Sequence, residues 1–549
     1  MLKFSKNSYT AKIIAKIKLA CFLALFTCIS TLAQAEVGLQ HRTVEDIKLE
    51  LIEYTKKARQ EWQAPGIVIG IVENGVLTFI NDGLLAACKK DEVTQDTIFC
   101  IMSCSKIVTV CIIQKLVDEG KISLDDKVVD YLPWFKLKDD AVTQQVKVRH
   151  LISHCIGLPP FSGDSIWHLD FSQKEIIEKL AQIRMKNEVG VKFGYQNICV
   201  GIAGMLVEKI TGKPIHVVAK EYIFDPLDMQ RSSIGVHFSS IWQKVVHFFK
   251  KDKRHTGLAS GHKLRNGKVV AVDSVYQYVF GGTSGVNSCT SDYIKLIACL
   301  ANRGIIEFGP NKGTRLLSER AWQAISSKNI GIPSVRKDNI QFPIKRMNPD
   351  SFYYGNGMYG MQYGADGRYI NIFSHQGAGT GWRSIWICVP DYKFGFVIFS
   401  NYGSNSSNLV TEALAYKILD MYLGVHNRDW SVSILKKINR IRKSYERQYD
   451  CFVKGPMPKS ITGEYQSSFY GAASIKKKSE CIYFCYRGKT VPLKHIGGVV
   501  FAVDKEPLSE NYCDDDSCNL HFVLDAKGEI SGFEISLFRE GEKTFKKVS

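Results

Sequence analysis

The sequence predicts an α+β protein: an antiparallel sheet packed with a helical region, followed by a separate β domain. Three observations predict this. The first 425 residues run in the order strands, helices, strands, helix, which suits a sheet sandwiched with helices. The stretch "GIVIGIVENGVLTFINDG" reads as a strand, an Asn74-Gly75 turn and a second strand. Residues 459–549 alternate short strands with glycine turns, as in "CIYFCYRGKTVPL" and "GEISGFEISLF".

Taken in order, the chain opens on lysines 3, 6, 12, 16 and 18, then the apolar run "LACFLALFTCISTLA" and the small-residue pattern Ala33-Gln34-Ala35. This predicts a secretory signal peptide over residues 1–35, cut after Ala35, and a secreted or periplasmic protein. The run is shorter than the ~20 residues a membrane span prefers, so a retained anchor is the less favoured reading. No later segment is long and apolar enough to cross a membrane. A domain over 36–430 follows. "DIKLELIEYTKKARQEW" predicts a helix, and the hairpin above comes next. A buried helix is expected over 103–119, stopped at Gly120, because its residues are apolar on nearly every side. From about 125 to 300 the chain reads mostly helical. "VRHLISHCIGLPP" predicts a helix ending at Gly157, and "FGYQNICVGIAGMLVEKITG" a loop entering a helix that stops at Gly212. Strands return in "YINIFSHQGAGTGWRSIWICVP" and "KFGFVIFSN". Residues 431–458 predict a basic helical linker with Ile434, Ile438 and Ile441 at helical spacing, broken by "KGPMPK" before the β domain at 459–549.

The totals narrow the function classes. Of 549 residues, 45% are hydrophobic and 23% charged, enough for a substantial core. The net charge of +18 falls to about +13 without the five leader lysines, which favours anionic neighbours such as cell-wall polymer. The export signal argues against nucleic acid. Fourteen of the 16 cysteines lie beyond the leader. Export permits disulfides, and Cys513–Cys518 could close a small loop, but connectivity is not legible in sequence.

Three short motifs could carry chemistry. In Ser103-Cys104-Ser105-Lys106, residues three apart at a helix start put a hydroxyl beside an amine. A serine is a weak nucleophile until a base takes its proton. A lysine can be that base if burial lowers its pKa, and the apolar run supplies burial. Tyr195-Gln196-Asn197 offers a phenol for proton relay and an amide that can bond both a substrate carbonyl and the lysine. His375-Gln376-Gly377, followed by Ala378, sits in a strand-like segment where glycine lets a backbone approach a ligand closely. Each alone reads equally well as structure: a turn, a helix cap, a histidine at a strand end.

In the order SxxK, YxN, HxG the three resemble the serine β-lactamase and D-alanyl-D-alanine peptidase superfamily, in its class C-like branch. "LVDEGKISLDDKVVDYLPWF", "VRHLISHCIGLP", "FDPLDM" and "FGGTSGVNSCTSDYIKLIACL" match family segments in order, so the resemblance covers about residues 45–425. The segment opening "ITGEYQSSFYGAASI" resembles a small β-barrel module appended to some members. The resemblance implies a β-lactamase/transpeptidase-like fold and a serine hydrolase forming an acyl-enzyme on amides or esters, with no metal or organic cofactor. Substrates would be small molecules or peptides. It implies Ser103 as nucleophile, Lys106 as its base, and Tyr195 in proton transfer. Asn197 would hold Lys106 and the substrate, His375 and Gly377 would line the substrate site, and the amides of Ser103 and Ala378 would form the oxyanion hole. One such donor is worth a factor of ~10²–10³ in rate. His375 stands where lactamases carry a lysine, which lowers the expectation of antibiotic hydrolysis. Cys104 is unusual inside the first motif and is expected to point away from the reacting face.

Rival readings are a non-catalytic cell-wall-binding protein that keeps the penicillin-binding fold, a zinc site at His150 and His154 or at Cys481, Cys485, Cys513 and Cys518, and a membrane-surface role for the basic helix. The resemblance makes the histidines structural, and a solvated linker packed by one apolar edge is favoured for the helix.

Overall fold

The computed structural model describes residues 41–548 apart from 170, 236–256, 266, 273–279, 333–341, 366, 404–407, 426–427, 450–455 and 504–517. The expected leader and Cys513 lie outside the described residues.

Helix α1 (Val44–Glu61) starts where Thr43 and Asp46 cap each other's backbone amides. Its Ile47, Leu51, Tyr54 and Ala58 recur at helical spacing and are buried. Strands β1 (Gly66–Glu73) and β2 (Val76–Gly83) follow. Their turn needs positive φ at both central residues, and Asn74 and Gly75 adopt 49° and 78°. Helix α2 (Lys106–Asp118) is buried on nearly all sides, and Gly120 in left-handed geometry ends it. Helix α3 (Asn197–Thr211) stops at Gly212, also left-handed. Helix α4 is Thr290–Ala301.

Six further strands complete the sheet: β3 (Ile330–Gly331), β4 (Tyr353–Tyr354), β5 (Tyr359–Ala365), β6 (Arg368–Gly379), β7 (Trp382–Val389) and β8 (Phe394–Ser400). The order is β2-β1-β8-β7-β6-β5-β4-β3, and every pairing is antiparallel. Ile69 and Ile385 both register on Ile398, forming one row across three strands. Alternation then splits the central strands between two cores. Ile69, Ile385 and Phe396 pack in the core that includes α1 and helix α5 (Val410–Tyr422). Val68, Trp386 and Phe399 pack with α2 and α4 in the other. Both faces are covered, so these strands are apolar almost throughout.

One expectation needs correction. The helix expected to end at Gly157 spans only Val148–Ile152, because His154 turns left-handed at φ 57° and the Cys155 amide closes back on the His150 carbonyl at 3.1 Å. His150 and His154 therefore do not share a helix. The basic segment is helix α6 (Trp430–Tyr449), whose Ile434 and Ile438 are buried in the α1–α5 core. Trp430 anchors it by donating from Nε1 to Asp420 Oδ2 at 2.7 Å.

The C-terminal strands, Gly463–Ser467 through Phe545–Lys547, close into an eight-stranded antiparallel barrel. Its inward positions are filled by aromatic rings, Tyr465, Phe484, Phe522, Phe533 and Phe545 among them, with Phe533 stacked on Phe545 at 4.8 Å. Cys481 and Cys485 are free thiols on one barrel strand.

Candidate active site

The chain leaves a short strand at Phe99–Cys100 and makes one 3-10 turn, Met102–Ser105, before α2 begins at Lys106. Met102 holds φ 49°, a left-handed conformation that a side-chain-bearing residue rarely adopts. The turn leaves Ser103 partly exposed and points Cys104 into the core, where its thiol meets the His375 carbonyl and the Ser384 hydroxyl. Strand β6 lies hard against this turn. A Cβ at Gly377 would stand 2.3 Å from the Ile101 carbonyl oxygen, so only glycine allows the approach. Ala378 follows it, in register with Arg383 of β7.

Lys106 is fully buried. Its Nζ lies 2.9 Å from Ser103 Oγ, 2.8 Å from Asn197 Oδ1 and 3.1 Å from the Thr283 carbonyl. Burial holds its pKa down to about 7, against the pull of Asp164 and Cys104 the other way. A neutral amine has two protons, and the Asn197 and Thr283 oxygens can only accept them. The nitrogen lone pair is then left facing the Ser103 hydroxyl. Tyr195 completes the group: its phenol faces the Ser103 side chain, and its ring centre is 5.1 Å from Nζ. Burial pushes that phenol well above its ordinary range, so it stays protonated.

His375 is 1% exposed and packs toward Tyr195, with ring centres 6.1 Å apart. Its Nδ1 meets the Gln376 carbonyl at 2.8 Å and Nε2 meets the Tyr354 hydroxyl at 3.1 Å. A carbonyl only accepts, so the proton sits on Nδ1 and Nε2 accepts from Tyr354. Burial pushes the pKa to about 3 and keeps the ring neutral. His375 thus supplies no cation here.

The structure brings Ser103, Lys106 and Asn197 into one hydrogen-bonded group with the Tyr195 ring beside it, and His375, Gly377 and Ala378 lie on the adjoining strand. It also adds residues that the motifs do not contain. Asp164 accepts from Asn197 Nδ2 at 2.7 Å and so fixes which end of that amide faces Lys106. Its carboxyl is pushed up to about 7, first by burial. His154 packs beside Tyr195 with ring centres 4.4 Å apart and the planes tilted by 40°, and it accepts the Gln196 amide on Nδ1. Phe161, left-handed at φ 63° and half exposed, packs on the other side of Tyr195 at 5.5 Å. Gly163 in "FSGDS" is left-handed and marks a turn before Asp164, but nothing local tells that the carboxyl meets an amide 33 residues on.

A family model described as Beta-lactamase matches residues 53–419. An unguisins hydrolase of Aspergillus campestris is 23% identical over 452 residues, 77% of this chain and 76% of that protein. Penicillin-binding protein 4 of Amycolatopsis lactamdurans is 27% identical over 179 residues, 32% of this chain and 46% of the relative, so the matched part is under half of its length. Among solved structures, an octameric penicillin-binding protein homologue from Pyrococcus abyssi superposes with a TM-score of 0.55 at 20% identity, covering 90% of this chain and 99% of the other. A class C beta-lactamase superposes at 0.51 with 17% identity, covering 72% and 96%. At these identities the structural likeness shows the fold.

Proposed function

Since this chain belongs to the Beta-lactamase family, we propose that it is an exported serine hydrolase working through an acyl-enzyme on Ser103. One observation carries the reading most: a fully buried lysine whose nitrogen touches the candidate nucleophile and two neutral acceptors, with no carboxylate on it directly. Near neutral pH a large share of Lys106 is uncharged and takes the Ser103 proton as the oxygen attacks a carbonyl carbon. The carbonyl π-electrons move to oxygen, and the amides of Ser103 and Ala378 hold that oxyanion. Collapse expels an amine or alcohol, which takes a proton from the Tyr195–Lys106 pair. Water then frees the acyl group by the same steps.

Amides and esters are the substrate class. Neutral His375 offers no charge to grip a β-lactam carboxylate, which favours peptidase or esterase action over lactamase action. The lysine-rich leader supports export, and the basic surface suits a wall environment. Labelling with a fluorophosphonate and a fluorescent penicillin, wild type against Ser103→Ala, tests the proposal. The wild type takes up at least one label and the variant neither. A wild type that takes neither returns the field to a non-catalytic wall-binding protein.

A further inference from the structure

The barrel does more than pack. One loop between its last two strands carries Glu540, which is 8% exposed. Its Oε1 accepts the backbone amides of Gly163 and Ser165, the two residues flanking Asp164, at 3.0 and 3.1 Å. The same glutamate is held from behind by Tyr470: the Tyr470 hydroxyl donates to Oε2 at 3.3 Å and accepts the Glu540 amide at 2.9 Å. From Asp164 the path runs through Asn197 to Lys106 and Ser103, every link 2.9 Å or shorter. The barrel interior is filled by aromatic rings, which leaves docking as what this module offers the site.

We infer that the C-terminal barrel completes the active site, with Glu540 as a positioning residue that clamps the Gly163–Ser165 turn and so holds Asp164 behind Asn197. The inference rests on the serine-hydrolase reading for its catalytic consequence, but the clamp itself does not. Gly163 is left-handed at φ 93°; the turn's own bonds, Phe161 N–H to the Tyr195 carbonyl at 2.7 Å and Asp164 N–H to the Phe161 carbonyl at 3.1 Å, leave the Gly163 and Ser165 amides to Glu540. The charged and titratable groups facing Asp164 are Lys106, Glu540 and Arg539, with Tyr195 and Cys199 beyond. The negative charge of Glu540 opposes ionisation of Asp164, and that of Asp164 favours the charged form of Lys106.

Signs follow for two conservative changes in the full chain. Glu540→Gln keeps an oxygen for both amides but removes the charge. Asp164 then ionises more readily, Lys106 holds its proton more tightly, and the pH midpoint of fluorophosphonate labelling rises. Asp164→Asn removes the charge that favours protonated Lys106, and the midpoint falls. Glu540→Ala removes the clamp, and labelling slows about 10-fold to 100-fold at every pH. Arg487→Ala serves as a control. It cuts a barrel contact to Glu175 and Phe171 on the same face without touching the turn, and labels within about twofold of wild type.

The second readout is amide hydrogen exchange of the peptide spanning 161–168. In the wild type the Gly163 and Ser165 amides are protected, and in Glu540→Ala they exchange at least about tenfold faster. Unchanged exchange in Glu540→Ala overturns the clamp. Faster exchange with unchanged labelling in all the variants overturns its catalytic role. A wild type that does not label sinks the hydrolase reading and that role together, while the exchange result still decides the clamp. Should Glu540→Ala fail to fold, opposite midpoint shifts in Glu540→Gln and Asp164→Asn sustain the inference, and shifts absent or in one direction reject it.

Discussion

Lys106 and Arg383 are both buried basic side chains, and their surroundings are opposite. Arg383 on β7 is 1% exposed and meets a carboxylate squarely: its Nε lies 3.1 and 3.2 Å from the two oxygens of Glu412 on α5, and its Nη2 donates to Oε1 as well. The Thr411 hydroxyl adds a fourth bond to that carboxylate at 2.8 Å. Lys106 meets a hydroxyl, an amide oxygen and a backbone carbonyl, and its nearest carboxylate stands one residue further back. A charge buried with its counter-charge is locked into the structure. A charge buried among neutral acceptors is easily given up, and a group that gives up a proton near neutral pH can act as a base.

Exchanging the properties of the two sites should expose the difference. The largest effect is expected from Lys106→Arg, since guanidinium stays protonated at every working pH. Labelling of Ser103 falls by about 10²–10⁴ while the fold, followed by circular dichroism, is kept. Labelling at wild-type rate would erase the distinction. Next comes Arg383→Met, which leaves Glu412 buried without its counter-charge. Denaturant unfolding should show a loss of about 3–5 kcal/mol, with labelling per folded molecule unchanged. Adding Glu412→Leu recovers much of the loss, because the cost lies in the orphaned charge. The smallest effect belongs to Asp164→Asn, which keeps an acceptor for Asn197 and drops the charge. Labelling at slightly acidic pH speeds up by a small factor, since the protonated form of Lys106 loses support.

The two sites also differ in how far the sequence reveals them. Ser103, Lys106, Tyr195, Asn197 and His375 are visible because their spacing within each motif is fixed by one local turn or helix start. The sheet hairpin and the buried α2 were legible for the same reason: Asn74-Gly75 demands one turn type, and a segment apolar all round demands a core. The pairing of Arg383 with Glu412 is not written in "GWRSIW", because it arises only when β7 meets α5. Asp164 and Glu540 are hidden similarly, their partners lying 33 and 377 residues away. His154 shows the reverse error. The segment reads as one helix to Gly157, but a left-handed His154 ends it at Ile152.

The decisive quantity is the protonation of one buried amine. Its most direct test is the second-order rate of fluorophosphonate labelling of the wild-type chain across neutral pH. The rate should rise as pH increases, through a single midpoint at about 7. A rate that is flat across that range, or a midpoint near the ordinary lysine value of about 10.4, would contradict it.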